Sequence, residues 1–172
     1  MKKLAGLICT LLLPGLAVAQ QETHPVAPLG GVEKEIAVRM SPAGSTVEVV
    51  HRIRYTNAQS VQWAPWIITM MAPGGVGIHG FPPRGTHPEI LAPTNPLTMW
   101  AFTDLTDPRW LLLRKYLILR QDPANTGQPQ KLGTFNSATW GAYLLGSDLF
   151  IKRYKADPAK QYPDFGCSFE RF

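Results

Sequence analysis

The sequence is poor in cysteine, in charge and in helical periodicity, and each shortage excludes a class of protein. Of its two cysteines, Cys9 lies in an apolar N-terminal run, so Cys167 alone belongs to the rest of the 172-residue chain. A single thiol cannot close an intramolecular disulfide, and cysteine pairs at zinc-ligand spacing are absent. We therefore expect Cys167 to be a buried side chain and not a nucleophile.

The sequence also lacks the motifs of common catalytic and cofactor sites. It has no G-x-S-x-G motif, no phosphate-binding glycine loop and no pair of histidines one helical turn apart. His51 falls on the apolar side of an alternating segment, which is typical of a core histidine, whereas His79 and His87 lie in or beside a proline-rich loop and are expected to be exposed. The sequence predicts no metal site, no cofactor and no catalytic pair.

Charge is scarce and scattered. Charged residues make up 17% of the chain, and the net charge is +5. Without Lys2 and Lys3, 15 basic residues stand against 12 acidic ones, and no basic cluster follows a line that would track a phosphate backbone. Nucleic-acid binding is therefore excluded.

The first nineteen residues resemble a secretory signal peptide. Lys2 and Lys3 precede an apolar run from Leu4 to Leu16, and Ala17-Val18-Ala19 has the small-residue pattern of a cleavage site. We expect residues 1–19 to be removed, residues 20–32 to form a flexible leader and residues 33–172 to fold as one domain. The mature protein would then be periplasmic or secreted, with no membrane-spanning segment.

The rest of the sequence predicts strands. Residues 46–57 alternate between apolar and polar side chains, the pattern of a half-buried strand, and residues 33–40 form its shorter neighbour. The apolar run 63–71 predicts a strand covered on both faces, and residues 96–103 and 114–121 predict two more. Gly146-Ser147-Asp148 between two further apolar segments is a hairpin signal, while five prolines within residues 81–96 predict a long, stiff loop. The fold class is all-β, an antiparallel β-sandwich of two packed sheets.

Polar and aromatic residues near the predicted loops form the candidate binding site. Five tryptophans are many for this length; most belong in a core, but an indole near a loop can stack on a sugar ring. Asp104 and Asp107 are typical turn residues, so we favour a structural role for them over catalysis. Lys152 shares a strand face with Phe150 and Tyr154; this face is either concave or solvated, and the pattern favours the solvated alternative. The predicted ligand-binding residues are Trp66, Arg84, His87, Trp100, Asp104, Arg109 and Lys152.

An ordered series of short motifs resembles a known family. The motifs are YTN at 55–57, APW at 64–66, APGG at 72–75, LTMW at 97–100, DPR at 107–109, KLG at 131–133, WGAY at 140–143 and LFIK at 149–152. Together they are similar to an uncharacterised bacterial domain-of-unknown-function family grouped with the galactose mutarotase-like (aldose epimerase-like) proteins. The resemblance covers residues 33–172 and implies a β-supersandwich, here incomplete and lacking some terminal strands.

The resemblance does not extend to the catalytic residues of true aldose epimerases. Those enzymes place an acid histidine on the strand after an asparagine-ended strand, where this chain has Trp66 and Thr69. Their glutamate base belongs to a late strand, and the nearest late carboxylate, Glu170, lies in a different context. Opening a sugar ring needs an acid and a base on opposite sides of the reacting carbon, and the sequence assigns neither.

Three functional hypotheses remain at this point. The leading one is an exported β-sandwich that binds a saccharide without catalysis. The second is a sugar mutarotase or a related isomerase. The third is an envelope interaction module that binds protein, or a second copy of itself, through exposed strand edges.

Overall fold

A computed structural model describes residues 21–93, 97–137 and 139–172 of the chain, with side chains described from residue 30 onward. The chain divides into two compact units, with the boundary between Pro65 and Trp66. The sequence predicts one domain over 33–172 and gives no signal at this boundary, where APW reads as the interior of a strand.

The first unit is a three-stranded antiparallel meander, here called sheet I. It comprises β1 (Gln21–Leu29), β2 (Val32–Met40) and β3 (Val47–Tyr55), in the order β1-β2-β3. The turn from β1 to β2 uses Gly30 and Gly31, both at positive φ, and a Cβ on Gly31 would collide with the Asn57 side chain. The predicted leader 20–32 is therefore mostly strand, because a Gly-Gly turn permits the hairpin that pairs it with β2.

The register of sheet I separates charge from apolar side chains. Cross-strand partners on one face are opposite charges, and three ion pairs join β2 to β3: Arg39–Glu48, Glu35–Arg52 and Glu33–Arg54. The other face pairs apolar residues, such as Val38 with Val49. The alternation predicted over 46–57 is thus confirmed, and His51 lies on the apolar face, partly exposed.

The second unit contains a five-stranded antiparallel sheet, sheet II, in the order β10-β9-β4-β7-β6. Its strands are β4 (Val76–Gly80), β6 (Trp110–Leu112), β7 (Tyr116–Arg120), β9 (Trp140–Leu145) and β10 (Asp148–Arg153). The hairpin predicted around residues 146–148 joins β9 to β10, with Gly146 at a φ of 59°. That prediction and the one for residues 114–121 are confirmed.

A smaller antiparallel sheet, sheet III, completes the second unit. It contains β5 (Thr98–Met99), β8 (Leu132–Thr134) and β11 (Phe169–Arg171), in the order β11-β8-β5. The single turn α1 (Pro163–Gly166) precedes β11. None of the helices in the described residues is long and apolar enough to cross a membrane.

The core of the second unit lies where sheet III contacts sheet II. Trp110, Leu117 and Leu119 of sheet II pack with Leu132 of sheet III, and Phe81 covers this cluster. Two glycines of sheet II permit close approach: a Cβ on Gly141 would collide with the Phe169 ring, and one on Gly77 would lie 2.9 Å from the Arg171 guanidinium. One face of β11 therefore points into this core, and the opposite face points away from sheet II.

The all-β class with antiparallel sheets is confirmed, but the strand predicted over 63–71 is wrong. Residues 57–75 form no strand, and Trp66, Ile68 and Met70 are exposed. The run is apolar and has no strand neighbour in the described residues. Strands β4 and β8 occupy VGIHG and LGT instead, two sequences whose glycines weaken the strand signal.

Candidate ligand-binding site

The face of sheet III that points away from sheet II carries a compact polar and aromatic cluster. The register aligns Thr98, Gly133 and Glu170 across the three strands, and side chains two residues apart share a face. Lys131 precedes β8 and Trp100 follows β5, so both continue this face. The absence of a side chain at Gly133 allows Cys167 and Trp100 to pack against the sheet: a Cβ there would collide with Cys167 Sγ and lie 3.3 Å from the Trp100 ring.

A charge pair lies at the centre of this cluster. Lys131 Nζ lies 2.7 Å from Glu170 Oε2, and the two side chains are only 13% and 16% exposed. The same ammonium lies 3.8 Å from the centroid of the Trp100 ring and 5.8 Å from that of Trp66. Both indoles thus share one cation, which is a favourable electrostatic contact for each ring.

The two acid groups of the cluster, the Glu170 carboxyl and the Cys167 thiol, both have raised pKa values. Burial raises the pKa of Glu170; the hydrogen bond with Lys131 opposes this, and the neighbouring Asp164 carboxyl reinforces it. Burial also raises the pKa of the Cys167 thiol, while a hydrogen bond with Thr98 acts in the other direction. Cys167 is buried, as the sequence predicts, and its thiol is held in the un-ionised, weakly nucleophilic form.

Trp66 is the most exposed side chain of the site. It is 76% exposed and begins a segment, residues 66–73, that has no strand partner in the described residues. Two side chains of sheet II hold this segment: Lys152 Nζ donates to Thr69 Oγ1 at 3.0 Å, and Tyr143 Oη donates to the carbonyl of Ala72. The position of Trp66 is therefore set by polar contacts of its own segment, and most of its ring remains open to solvent.

Lys152 is partly exposed and shares its strand face with Phe150 and Tyr154, which are 44% and 37% exposed. The register places Lys152 opposite Gly141 and Phe150 opposite Tyr143, on the face of sheet II that also carries Gly77. Burial lowers the pKa of Lys152. Its ammonium anchors the 66–73 segment, so it contributes to the site by holding Trp66 in place.

The loop between β5 and β6 is fixed from within by its polar side chains. The Asp104 carboxylate accepts hydrogen bonds from the backbone N–H and the hydroxyl of Thr106, which lower its pKa. Asp107 and Arg109 form a bidentate pair, and Arg109 also donates to the carbonyl of Gln128. Each of these contacts is of the turn-forming kind that the sequence predicts for aspartate.

Gln130 joins this loop to the cluster. Its side-chain oxygen accepts hydrogen bonds from the backbone N–H of Asp104 and from Trp110 Nε1, at 2.9 and 3.0 Å. Thr103 donates to the carbonyl of Lys131. Asp104 and Arg109 thus lie on the loop that supports Lys131, and their side chains bond to the loop.

The proline-rich loop contributes Arg84 and His87, both exposed. Thr86 Oγ1 donates to Glu89 at 2.7 Å and the N–H of Ile90 bonds to the carbonyl of Thr86, so the loop contains a local turn. Among the described residues, no hydrogen bond or ion pair links the Arg84 or His87 side chain to the cluster. Of the seven predicted site residues, only Trp66 and Trp100 converge on one point, the Lys131 ammonium.

The ion pair between Lys131 and Glu170 was not predicted from the sequence. Lys131 belongs to the KLG motif and Glu170 is the late carboxylate, but nothing in their spacing shows that β8 and β11 pair. The prediction that His79 is exposed is wrong: this residue lies on β4, which carries no recognisable strand pattern, and is 1% exposed.

Two depressions are lined by residues other than those of the cluster. In the first unit, a groove of about 320 Å³ is lined by His51, Ile53, Tyr55, Val61, Trp63 and Pro65. In the second unit, a depression of about 400 Å³ lies beside Phe135 and Tyr162. Within the described residues, no group of three or more histidine, cysteine, aspartate or glutamate side chains is arranged to hold a metal ion.

Comparison with known proteins adds no relative: no family model, no curated protein and no solved structure matches the chain.

Proposed function

We propose that the chain is an exported carbohydrate-binding protein with a galactose mutarotase-like β-sandwich fold, and that it binds a saccharide beside Trp66, Trp100, Lys131 and Glu170. The observation that carries the proposal is the pairing of an exposed indole with a sheltered ammonium–carboxylate pair. A pyranose presents an apolar C–H face and a rim of hydroxyl groups. Trp66 offers a flat apolar surface to the first, and the charged pair offers a donor and an acceptor to the second.

The charge of the site selects among saccharides. Lys131 Nζ and Glu170 Oε2 pair at 2.7 Å, so neither of these two groups offers an unpaired charge to an anionic or cationic sugar. We therefore expect a neutral saccharide. Because Trp66 is 76% exposed, the ligand would lie across an accessible surface, which suits an oligosaccharide.

The test is a glycan array followed by calorimetry on the protein without residues 1–19. The expected result is binding to neutral oligosaccharides, weakened about fivefold or more by Trp66→Ala, since loss of one aromatic stacking contact costs about 1 kcal/mol or more. Trp63→Ala is the matched control, because Trp63 is also exposed, at 52%, but lies in the first unit. The proposal fails if no saccharide binds, or if Trp63→Ala weakens binding and Trp66→Ala does not.

The second candidate is a sugar isomerase, and the raised pKa of Glu170, whose partner Lys131 contacts the Trp100 ring, is the observation that favours it. Against it, Lys131 and Glu170 are in contact and approach a ligand from one side, whereas ring opening needs an acid and a base on opposite sides. Polarimetry on freshly dissolved glucose and galactose distinguishes the candidates. Acceleration over buffer that is lost in Glu170→Gln would favour the enzyme, and no acceleration would favour binding alone.

A further inference from the structure

A second polar site, independent of the saccharide cluster, lies inside the second unit where sheets II and III meet. His79 of β4 and Arg171 of β11 reach this interior from opposite sheets. His79 is 1% exposed and neither ring nitrogen has a hydrogen-bond partner; Arg171 Nε is likewise buried and unpartnered. Three buried polar atoms of these two residues thus stand without partners.

Arg171 is held rigidly in this interior. Its Nη2 donates to the carbonyls of Ile78 and Ala142, both at 3.1 Å, on the two neighbouring strands β4 and β9. Gly77 lies directly against the guanidinium, which leaves no room for a side chain there. The two carbonyl contacts orient the guanidinium but do not neutralise its charge.

No carboxylate of the described residues forms an ion pair with Arg171. Its neighbour Glu170 points to the opposite face of sheet III and pairs with Lys131. The rings around the site are Phe81 and Phe169, whose centroids lie 6.4 and 5.1 Å from that of His79. Arg171 is partly exposed and its guanidinium lies 5.5 Å from the centroid of the Phe169 ring, but a charge without a counter-ion and a buried donor without a partner are both unfavourable there.

We propose that Arg171 and His79 bind one small monovalent inorganic anion, of halide size, between sheets II and III. Arg171 Nε–H and one N–H of neutral His79 donate to it, and the charge of Arg171 is neutralised. A water molecule could accept the same hydrogen bonds but would leave that charge uncompensated, so an anion explains both features. Burial and the Arg171 charge keep the imidazole neutral by lowering its pKa to about 3.

Thermal unfolding at constant ionic strength tests the binding. Replacing gluconate, which is too large for the interior, by chloride up to about 200 mM should raise the Tm by roughly 4 °C. Arg171→Met should abolish this increase, and Arg120→Met, an exposed arginine on β7, should retain it. An equal chloride effect in the Arg171→Met variant, or no effect in the wild type, would overturn the proposal.

Anomalous diffraction from crystals of the unaltered protein grown in bromide provides a test that no folding defect can confuse. The expected result is a bromide peak within hydrogen-bonding distance of Arg171 Nε and a nitrogen of His79. A water molecule at that position, or bromide on surface lysines alone, would refute it.

Discussion

The buried position of the Lys131–Glu170 pair predicts a strong and pH-dependent coupling between the two residues. The side chains are 13% and 16% exposed and their charged atoms lie 2.7 Å apart. Removing one partner of a fully buried pair costs about 3–5 kcal/mol, and partial exposure reduces this value. We expect Lys131→Met to lower the free energy of unfolding by about 2 kcal/mol at pH 7, while its stem still covers Trp100.

The direction of the pH dependence follows from Glu170. Its folded-state pKa lies above the reference value of 4.5, so the folded state binds the proton more tightly than the unfolded state between these two pKa values. This contribution to stability is present at low pH and is lost as the pH rises through the folded pKa. Glu170→Gln removes it, and the coupling with Lys131 should nearly disappear by about pH 4, where the carboxyl is largely neutral.

A double-mutant cycle of Lys131→Met and Glu170→Gln measures the coupling through urea unfolding, followed by far-UV circular dichroism at pH 7 and pH 4. The matched control is the cycle on Arg54 and Glu33, whose charged atoms lie 3.7 Å apart and whose side chains are 79% and 54% exposed. We expect about 2 kcal/mol for the first pair at pH 7 and below about 0.5 kcal/mol for the second. Equal coupling in the two pairs, or a value for Lys131–Glu170 that does not change with pH, would refute the reasoning.

Three further predictions concern the core and the supporting loop. The pKa of His79 is about 3 in the folded state against 6.5 in the unfolded state, so the unfolded state binds the proton more tightly below pH 6.5. In halide-free buffer the free energy of unfolding should therefore fall by up to about 1.4 kcal/mol per pH unit as the pH is lowered from 6.5. His79→Phe should flatten this slope, which urea unfolding midpoints from pH 7 to pH 4 would measure. Gly133→Ala should cost about 1–3 kcal/mol through its collision with Cys167, and a Gly133→Ala/Cys167→Ala variant should recover much of it; equal losses in both would contradict the packing. Asp107→Asn should lower the Tm by removing the charge and one of the two acceptor oxygens that face Arg109, while leaving saccharide affinity within about twofold; a tenfold loss at unchanged Tm would make Asp107 a ligand contact.

The sequence predicts strands best where apolar alternation and turn residues agree. The alternation before Tyr55 and the Gly146 hairpin meet this condition, and both give β-strands in the structure. The run 63–71 fails because an apolar run signals burial only if another element covers it, and here it stays exposed. The sequence does not predict strand β4, because two of its five residues are glycines and leave no alternation of apolar and polar side chains. For the same reason His79, which lies on this strand, was expected to be exposed.

The site is predictable only in part for a related reason. Trp66 and Trp100 stand out in the sequence as aromatics near strand ends, but their common partner depends on the pairing of β8 with β11. Lys131 and Glu170 are 39 positions apart, and neither lies in a motif that announces the other. Asp104 and Arg109 have the right residue types for a ligand contact, yet the turn they form uses the same hydrogen bonds.

The most direct test of the account is a crystal structure of the protein with a neutral oligosaccharide identified on the glycan array. We expect a sugar ring in van der Waals contact with the Trp66 indole, with the hydroxyl groups of the sugar hydrogen-bonded to Lys131 or Glu170. A sugar ring seated against Trp63 in the groove of the first unit, with Trp66 unoccupied, would contradict it.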